Sequence, residues 1–135
     1  MQEQDPLLSK LHYGWRIEQR AWEWYSAQVP GARLLGRNFR CRVGEIDLIV
    51  EEPVEEPVEK PSEGGAFELV FIEVRARTSA SWESGLESLR PAKLLHLRRA
   101  LDSFLMKYRG PAQTLRVDLI AWDGRQFSQI RNLRF

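Results

Sequence analysis

Thiol chemistry is nearly absent from this 135-residue chain: Cys41 is its one cysteine. That excludes an intrachain disulfide and a structural zinc site built from thiolates. The two histidines, His12 and His96, stand isolated, without metal-ligand spacing. No Gly-rich phosphate loop is present, so nucleotide hydrolysis by that route has no support. No run approaches the ~20 apolar residues of a membrane span. The opening residues, Met1 to Pro6, lack the basic start and apolar run of a signal peptide. These absences point to the cytoplasm and to no membrane partner.

Charge is present in quantity but unevenly placed. The net charge is only +1. Residues 51–65, however, hold six glutamates against one lysine, so the remaining 120 residues carry +6. From Leu86 onward there are ten Lys/Arg and four Asp/Glu. A moderately basic body with an acidic appendage attracts polyanions, although such a balance is also common in proteins that never meet nucleic acid.

The length suits one domain, 1–135. Leu11, Trp15, Trp22 and Tyr25 recur at helical spacings, predicting a helix from Leu8 to Gln28 that Val29-Pro30-Gly31 ends. Strands are expected at Arg33–Phe39, Glu45–Val50 and Phe67–Ala76. Between the last two lies a degenerate Glu-Glu-Pro-Val repeat. Pro53, Pro57 and Pro61 argue against regular pairing there, so 51–65 reads as an extended, flexible insertion. A second helix is expected at Pro91–Tyr108, with Leu94, Leu97, Leu101 and Leu105 as its stripe. Strands at Thr114–Trp122 and Phe127–Arg131 follow, joined by an Asp123-Gly124 turn. The sum is an α/β domain: a small mixed five-stranded sheet with two main helices, one on each face or both on one.

Two of these strands place charge among apolar residues. Period two puts Glu45 and Asp47 on one side of the second strand, and Glu73, Arg75 and Arg77 on one side of the third. If the strands are neighbours, their carboxylates converge on one hard cation such as Mg²⁺ or Mn²⁺. A solvated sheet face with Glu–Arg pairs gives the same alternation. Glu18 lies among Gly14, Trp15, Ala21 and Trp22 on its helix, which aims it along the seam toward the sheet or over the indoles at the rim. Arg37, Arg40 and Arg42 approach the acidic strand, and Lys93 sits among the cations of the second helix. Such a basic surface holds a nucleic-acid backbone without reading sequence, or simply solvates a helix. Of the five tryptophans, only Trp82, on a loop, suits a base contact.

Gly14-x-x-x-Glu18-x-x-Ala21, Asn38-x-Arg40-x-x-x-Gly44-Glu45-Ile46-Asp47-Leu48-Ile49 and Phe71-Ile72-Glu73-Val74-Arg75-x-Arg77 together resemble the YraN family. Lys93 and Arg116-Val117-Asp118 continue the resemblance in order. That family is similar to archaeal Holliday-junction resolvases. The resemblance implies a restriction-endonuclease-like fold and a PD-(D/E)xK type of site. It makes Asp47 and Glu73 metal ligands, Glu18 the helix carboxylate that completes the site, and Glu45 a less direct participant. Arg75 stands where the signature has lysine. A guanidinium holds phosphate but is no general base, and Lys93 could supply an ammonium instead.

The expectation is therefore a Mg²⁺- or Mn²⁺-dependent nuclease-like protein that binds nucleic acid, branched DNA in particular. Glu18, Asp47, Glu73 and Arg75 carry the chemistry, while Arg37, Arg40, Arg42, Arg77 and Lys93 hold the backbone. By analogy with the resolvases it acts as a homodimer. Two alternatives stay open: a binding module that has lost cleavage through Arg75, and a protein-interaction scaffold docking through its acidic segment.

Overall fold

A computed structural model describes residues 6–55, 65–76 and 91–133, with side chains from residue 16 onward in the first stretch. The elements are α1 (Pro6–Gln28), β1 (Arg33–Cys41), β2 (Gly44–Val54), β3 (Ala66–Ala76), α2 (Pro91–Lys107), β4 (Thr114–Trp122) and β5 (Phe127–Ile130). They form one sheet in the order β1-β2-β3-β4-β5. The β1–β2, β2–β3 and β4–β5 pairs are antiparallel, and β3–β4 is parallel. A parallel pair cannot be joined by a hairpin, and the chain between β3 and β4 includes α2. This is an α/β fold of two helices on a mixed five-stranded sheet, consistent with a restriction-endonuclease-like domain.

Each face of the sheet receives one helix. Ala21 and Tyr25 of α1 pack against Leu48, Val50, Val70, Ile72 and Ile120. On the other face Leu97, Ala100 and Leu101 of α2 pack against Ile46, Ile49, Leu69, Phe71 and Val117. The central strands are therefore covered on both sides, which is why β2 and β3 read as nearly unbroken apolar runs. Each large side chain so buried contributes about 1.5–3 kcal/mol. The stripe of α1 is Ile17, Ala21 and Tyr25, at spacings of four. Trp22 and Trp24 are half-buried against the same cluster, as packing residues.

The acidic insertion begins later than the sequence suggested. β2 continues through Glu51 and Glu52 to Val54, and Pro53 pairs with Phe67. Pairing with β1 stops at Arg33↔Glu51, so Pro53 lies where β2 has a neighbour on one side only, and an edge tolerates the missing N–H. Glu51 and Glu52 are not solvated. They are 1% and 3% exposed, held respectively by Arg33 with Tyr108 and by Tyr25 with Arg116. Residues 56–64 of the insertion lie outside the described residues, as do Arg77 and Trp82. The expected hairpin turn is present: Asp123 Oδ1 accepts the N–H groups of Arg125 and Gln126 at 2.7 and 2.8 Å, and Gly124 takes the left-handed backbone (φ 100°). Among the described residues no helix is long and apolar enough to cross a membrane.

Candidate active site

β2 and β3 pair from Val54↔Ala66 to Leu48↔Ile72 and no further. At the next position Asp47 Oδ2 accepts the N–H of Val74 at 2.8 Å, so a side chain replaces the strand partner at the point where the ladder ends. Alternation breaks at the same place. Ile46 packs on the α2 side and Leu48 on the α1 side, although a regular strand would put both on one face. Across β1 the register sets Asn38 opposite Asp47, between Arg37↔Leu48 and Phe39↔Ile46. Asn38 takes the left-handed region (φ 50°), which asparagine tolerates better than most residues. Both neighbours of β2 thus give way around Asp47, and the simple period-two reading of Glu45 with Asp47 does not hold through this kink.

Three carboxylates meet in the gap. The buried stripe of α1 sets Glu18, next to Ile17, half-buried above β2. Glu73, only 2% exposed, comes from β3, two residues beyond Phe71. Asp47 lies between them, near enough for its charge to raise both. Burial and the nearby Asp47 charge push the Glu73 carboxyl up to about 7, against the opposing pull of Arg75 and Lys93. Burial and Asp47 likewise raise Glu18 to about 7, while a hydrogen bond from Asn38 opposes the rise. Asp47 is raised by burial, against the Val74 N–H. Each group suffers loss of water and the presence of another acid, the two causes that disfavour an ionised carboxyl.

Cations approach from one side. Arg75 Nη2 lies 2.9 Å from Glu73 Oε1, and Lys93 Nζ of α2 lies 3.5 Å from the same oxygen. The other oxygen, Glu73 Oε2, is buried with no hydrogen-bond partner, as are Glu18 Oε2 and Arg75 Nε. Unpartnered buried polar atoms are costly and call for an explanation. An oxygen-only donor set with orphaned carboxylate oxygens suits a hard divalent cation. Among the described residues, however, no three His, Cys, Asp or Glu side chains close around one point as a ready metal cage. Two carboxylates, completed by water and phosphate, are what Mg²⁺ commonly takes from a protein.

The remaining candidates divide. Glu45 is exposed and pairs with Arg40 at 3.3 Å; it reaches Asp47 only through its charge, which favours the protonated form. Arg37 is half-buried, and its Nη1 donates to Gln19 Oε1 at 2.5 Å, joining β1 to α1. Arg40 and Arg42 are exposed at the β1–β2 turn. Lys93, expected as a backbone contact, stands beside Glu73. Sequence reasoning missed Gln19, for which no local signal exists. It also gave no role to Asn38, whose tolerance of positive φ was the available sign.

A family model described as uncharacterised protein family UPF0102 matches residues 17–122, a span that includes Glu18, Asp47, Glu73, Arg75 and Lys93. A UPF0102 protein of Alkalilimnicola ehrlichii is 36% identical over 123 residues, 90% of this chain and 86% of its own length. A UPF0102 protein of Ralstonia nicotianae is 34% identical over 108 residues, 78% and 74% of the two chains. One from Legionella pneumophila strain Corby is 35% identical over 96 residues, 70% of each. The chain belongs to the UPF0102 family, the YraN family that its motifs resemble.

Proposed function

We propose that this protein is a metal-dependent, nuclease-like protein that binds nucleic acid and hydrolyses phosphodiesters of branched DNA. The observation that carries the reading is the partly buried row Glu18–Asp47–Glu73, with orphaned oxygens at both ends and two cations on one flank. Asp47 and Glu73 would hold Mg²⁺ or Mn²⁺. When bound, such an ion polarises the scissile phosphate and lowers the pKa of its water. Glu18, with Oε2 free, orients the attacking water across the gap. Arg75 steadies charge on the phosphate and takes no proton, because a guanidinium stays protonated in proteins. Exposed Arg40 and Arg42 hold the strand.

Titration calorimetry with Mn²⁺ at neutral pH, on wild type beside Asp47→Asn and Glu73→Gln, tests the reading directly. Binding to wild type that either substitution weakens at least tenfold is expected. Heat that is absent, or indifferent to both substitutions, would refute it. Cleavage of four-way-junction and flap DNA in Mg²⁺ or Mn²⁺ then gives the activity.

A second reading rests on Arg75. Its guanidinium is already engaged with Glu73 at 2.9 Å, which favours a protein that binds but no longer cuts. A positioned acid–base group typically supplies about 100- to 10,000-fold in rate. Cleavage by Arg75→Lys alone, with wild type binding the same DNA intact, would select this second reading.

A further inference from the structure

A cavity of about 320 Å³ lies between the β1–β2 turn and α2, lined by Arg40, Cys41, Gly44, Glu45, Lys93 and His96 among others. Its wall is fixed by Gly44. A Cβ there would come within 2.2 Å of the His96 carbonyl oxygen, so the turn lies directly on the backbone of α2 and only glycine fits. The lining carries two cations, Arg40 and Lys93, against one carboxylate, Glu45. Arg40 is engaged only by Glu45, at 3.3 Å, and both side chains are well exposed. Such a surface pair contributes little, whereas an arginine fork on phosphate is a charge-assisted, bidentate contact. Lys93 belongs to two places at once: it lines the cavity, and its Nζ is 3.5 Å from Glu73 Oε1. Whatever anion the cavity holds therefore lies next to the carboxylate row.

We propose that this cavity is a phosphate subsite. It takes a backbone phosphate neighbouring the one at Asp47 and Glu73, with Arg40, Lys93 and His96 as donors. The inference rests on the nuclease-like reading above and adds the place where the strand is gripped beside the reacting bond. It gives His96 a role and fixes the path of the strand, along the β1–β2 turn toward α2.

The test is binding without metal. A fluorescently labelled single-stranded oligonucleotide is titrated in EDTA across a series of KCl concentrations. Wild type is compared with the triple variant Arg40→Gln/Lys93→Gln/His96→Ala, with Lys93→Arg, and with Lys107→Gln. Lys107 is an exposed cation at the far end of the same helix. Losing one phosphate contact lowers the slope of log affinity against log salt by about 0.7 on a single strand. That loss is expected in the triple variant and not in Lys107→Gln, while Lys93→Arg keeps the wild-type slope. Equal melting temperatures exclude misfolding as the cause.

An unchanged slope in the triple variant, or an equal loss in Lys107→Gln, would overturn the subsite while leaving the carboxylate chemistry standing. Wild type that shows no salt-dependent binding would overturn the nucleic-acid reading and the subsite with it. Asp47→Asn separates the two further, since in EDTA it is expected to leave the slope intact.

Discussion

Two polar clusters are built into the same sheet on opposite principles. In one, Arg116 is ringed by acids: Nη1 lies 2.7 Å from both Glu52 and Glu68, and Nε lies 3.1 Å from Asp118. Its Nη2 donates to the Tyr25 hydroxyl at 3.0 Å. Asp118, fully buried, also accepts from Gln129 Nε2 at 2.8 Å and from the Asn132 N–H at 2.9 Å. No side-chain atom of this cluster is buried without a partner. In the other, Glu18, Asp47 and Glu73 face one another, and two of their oxygens have none. Both clusters are costly to bury. The first satisfies every buried polar atom from within the chain, which is the mark of a structural network. The second leaves Glu18 Oε2 and Glu73 Oε2 unsatisfied even with Arg75 and Lys93 beside Glu73, which is the mark of a site that a proton or a cation completes.

The contrast is broken most forcefully at Arg116. Arg116→Ala strands Asp118 and Glu52 in the interior without their cation, and removing one partner of a buried ion pair costs about 3–5 kcal/mol. Urea denaturation should show that loss with little change in m-value, whether or not Mn²⁺ is present. A cost below about 1 kcal/mol would mean that the ring of acids around Arg116 is solvated rather than structural.

The carboxylate row should answer with the opposite sign. Asp47→Asn keeps an acceptor for the Val74 N–H and deletes a charge that two other acids oppose. In EDTA at pH 8 it is expected to stabilise the protein by about 1–3 kcal/mol. The pH dependence follows from the same groups. Glu73 holds its proton more tightly folded than unfolded, about 7 against 4.5. Its contribution is therefore fully present below about pH 4.5 and is lost as pH rises through about 7. For the row that loss is on the order of 3 kcal/mol, with Glu18 adding little because it is half-exposed. The wild-type minus Asp47→Asn difference in stability, measured from pH 4 to 8 in EDTA, should grow across that window. A flat difference would show that the three acids do not repel. Added Mn²⁺ at one hundred times its dissociation constant should restore about 2.7 kcal/mol at pH 8 to wild type alone.

Both helices and all five strands were legible in the sequence, because each rests on local pattern. Local pattern left Glu18, Asp47 and Glu73 open between a site and a solvated face, and only the family resemblance singled them out. The apolar, β-branched runs around Asp47 and Glu73 mark strands, Gly31 and Gly110 mark helix ends, and Asp123-Gly124 marks its turn. What sequence hid depends on partners far along the chain. Glu51 and Glu52 read as the start of a solvated repeat because their counter-charges, Arg33 and Arg116, are 18 and 64 residues away. The kink at Asp47 was invisible because a regular strand was the simplest account of Gly44-Glu45-Ile46-Asp47. Its cause is a side chain capping Val74, 27 residues on. From its own helix Lys93 read as one cation among several, and only the resemblance suggested it as a stand-in ammonium; the packing of α2 is what brings it to Glu73.

The smallest expected effect sharpens the comparison within the balanced half. Tyr108 donates its hydroxyl to Glu51 Oε2 at 2.5 Å and accepts the Ala112 N–H at 3.0 Å, so it ties the end of α2 to β2. Glu51 also keeps Arg33, so Tyr108→Phe removes one of two partners and leaves the carboxylate paired. A hydrogen bond to a charged acceptor contributes about 1.5–3 kcal/mol, but Tyr108 is only partly buried, so water can partly replace it. The loss should therefore be about 1 kcal/mol in urea denaturation, with Mn²⁺ affinity unchanged. If Tyr108→Phe instead altered metal affinity, the two polar regions would be energetically joined through β2, and the division between a closed network and an open site would fail.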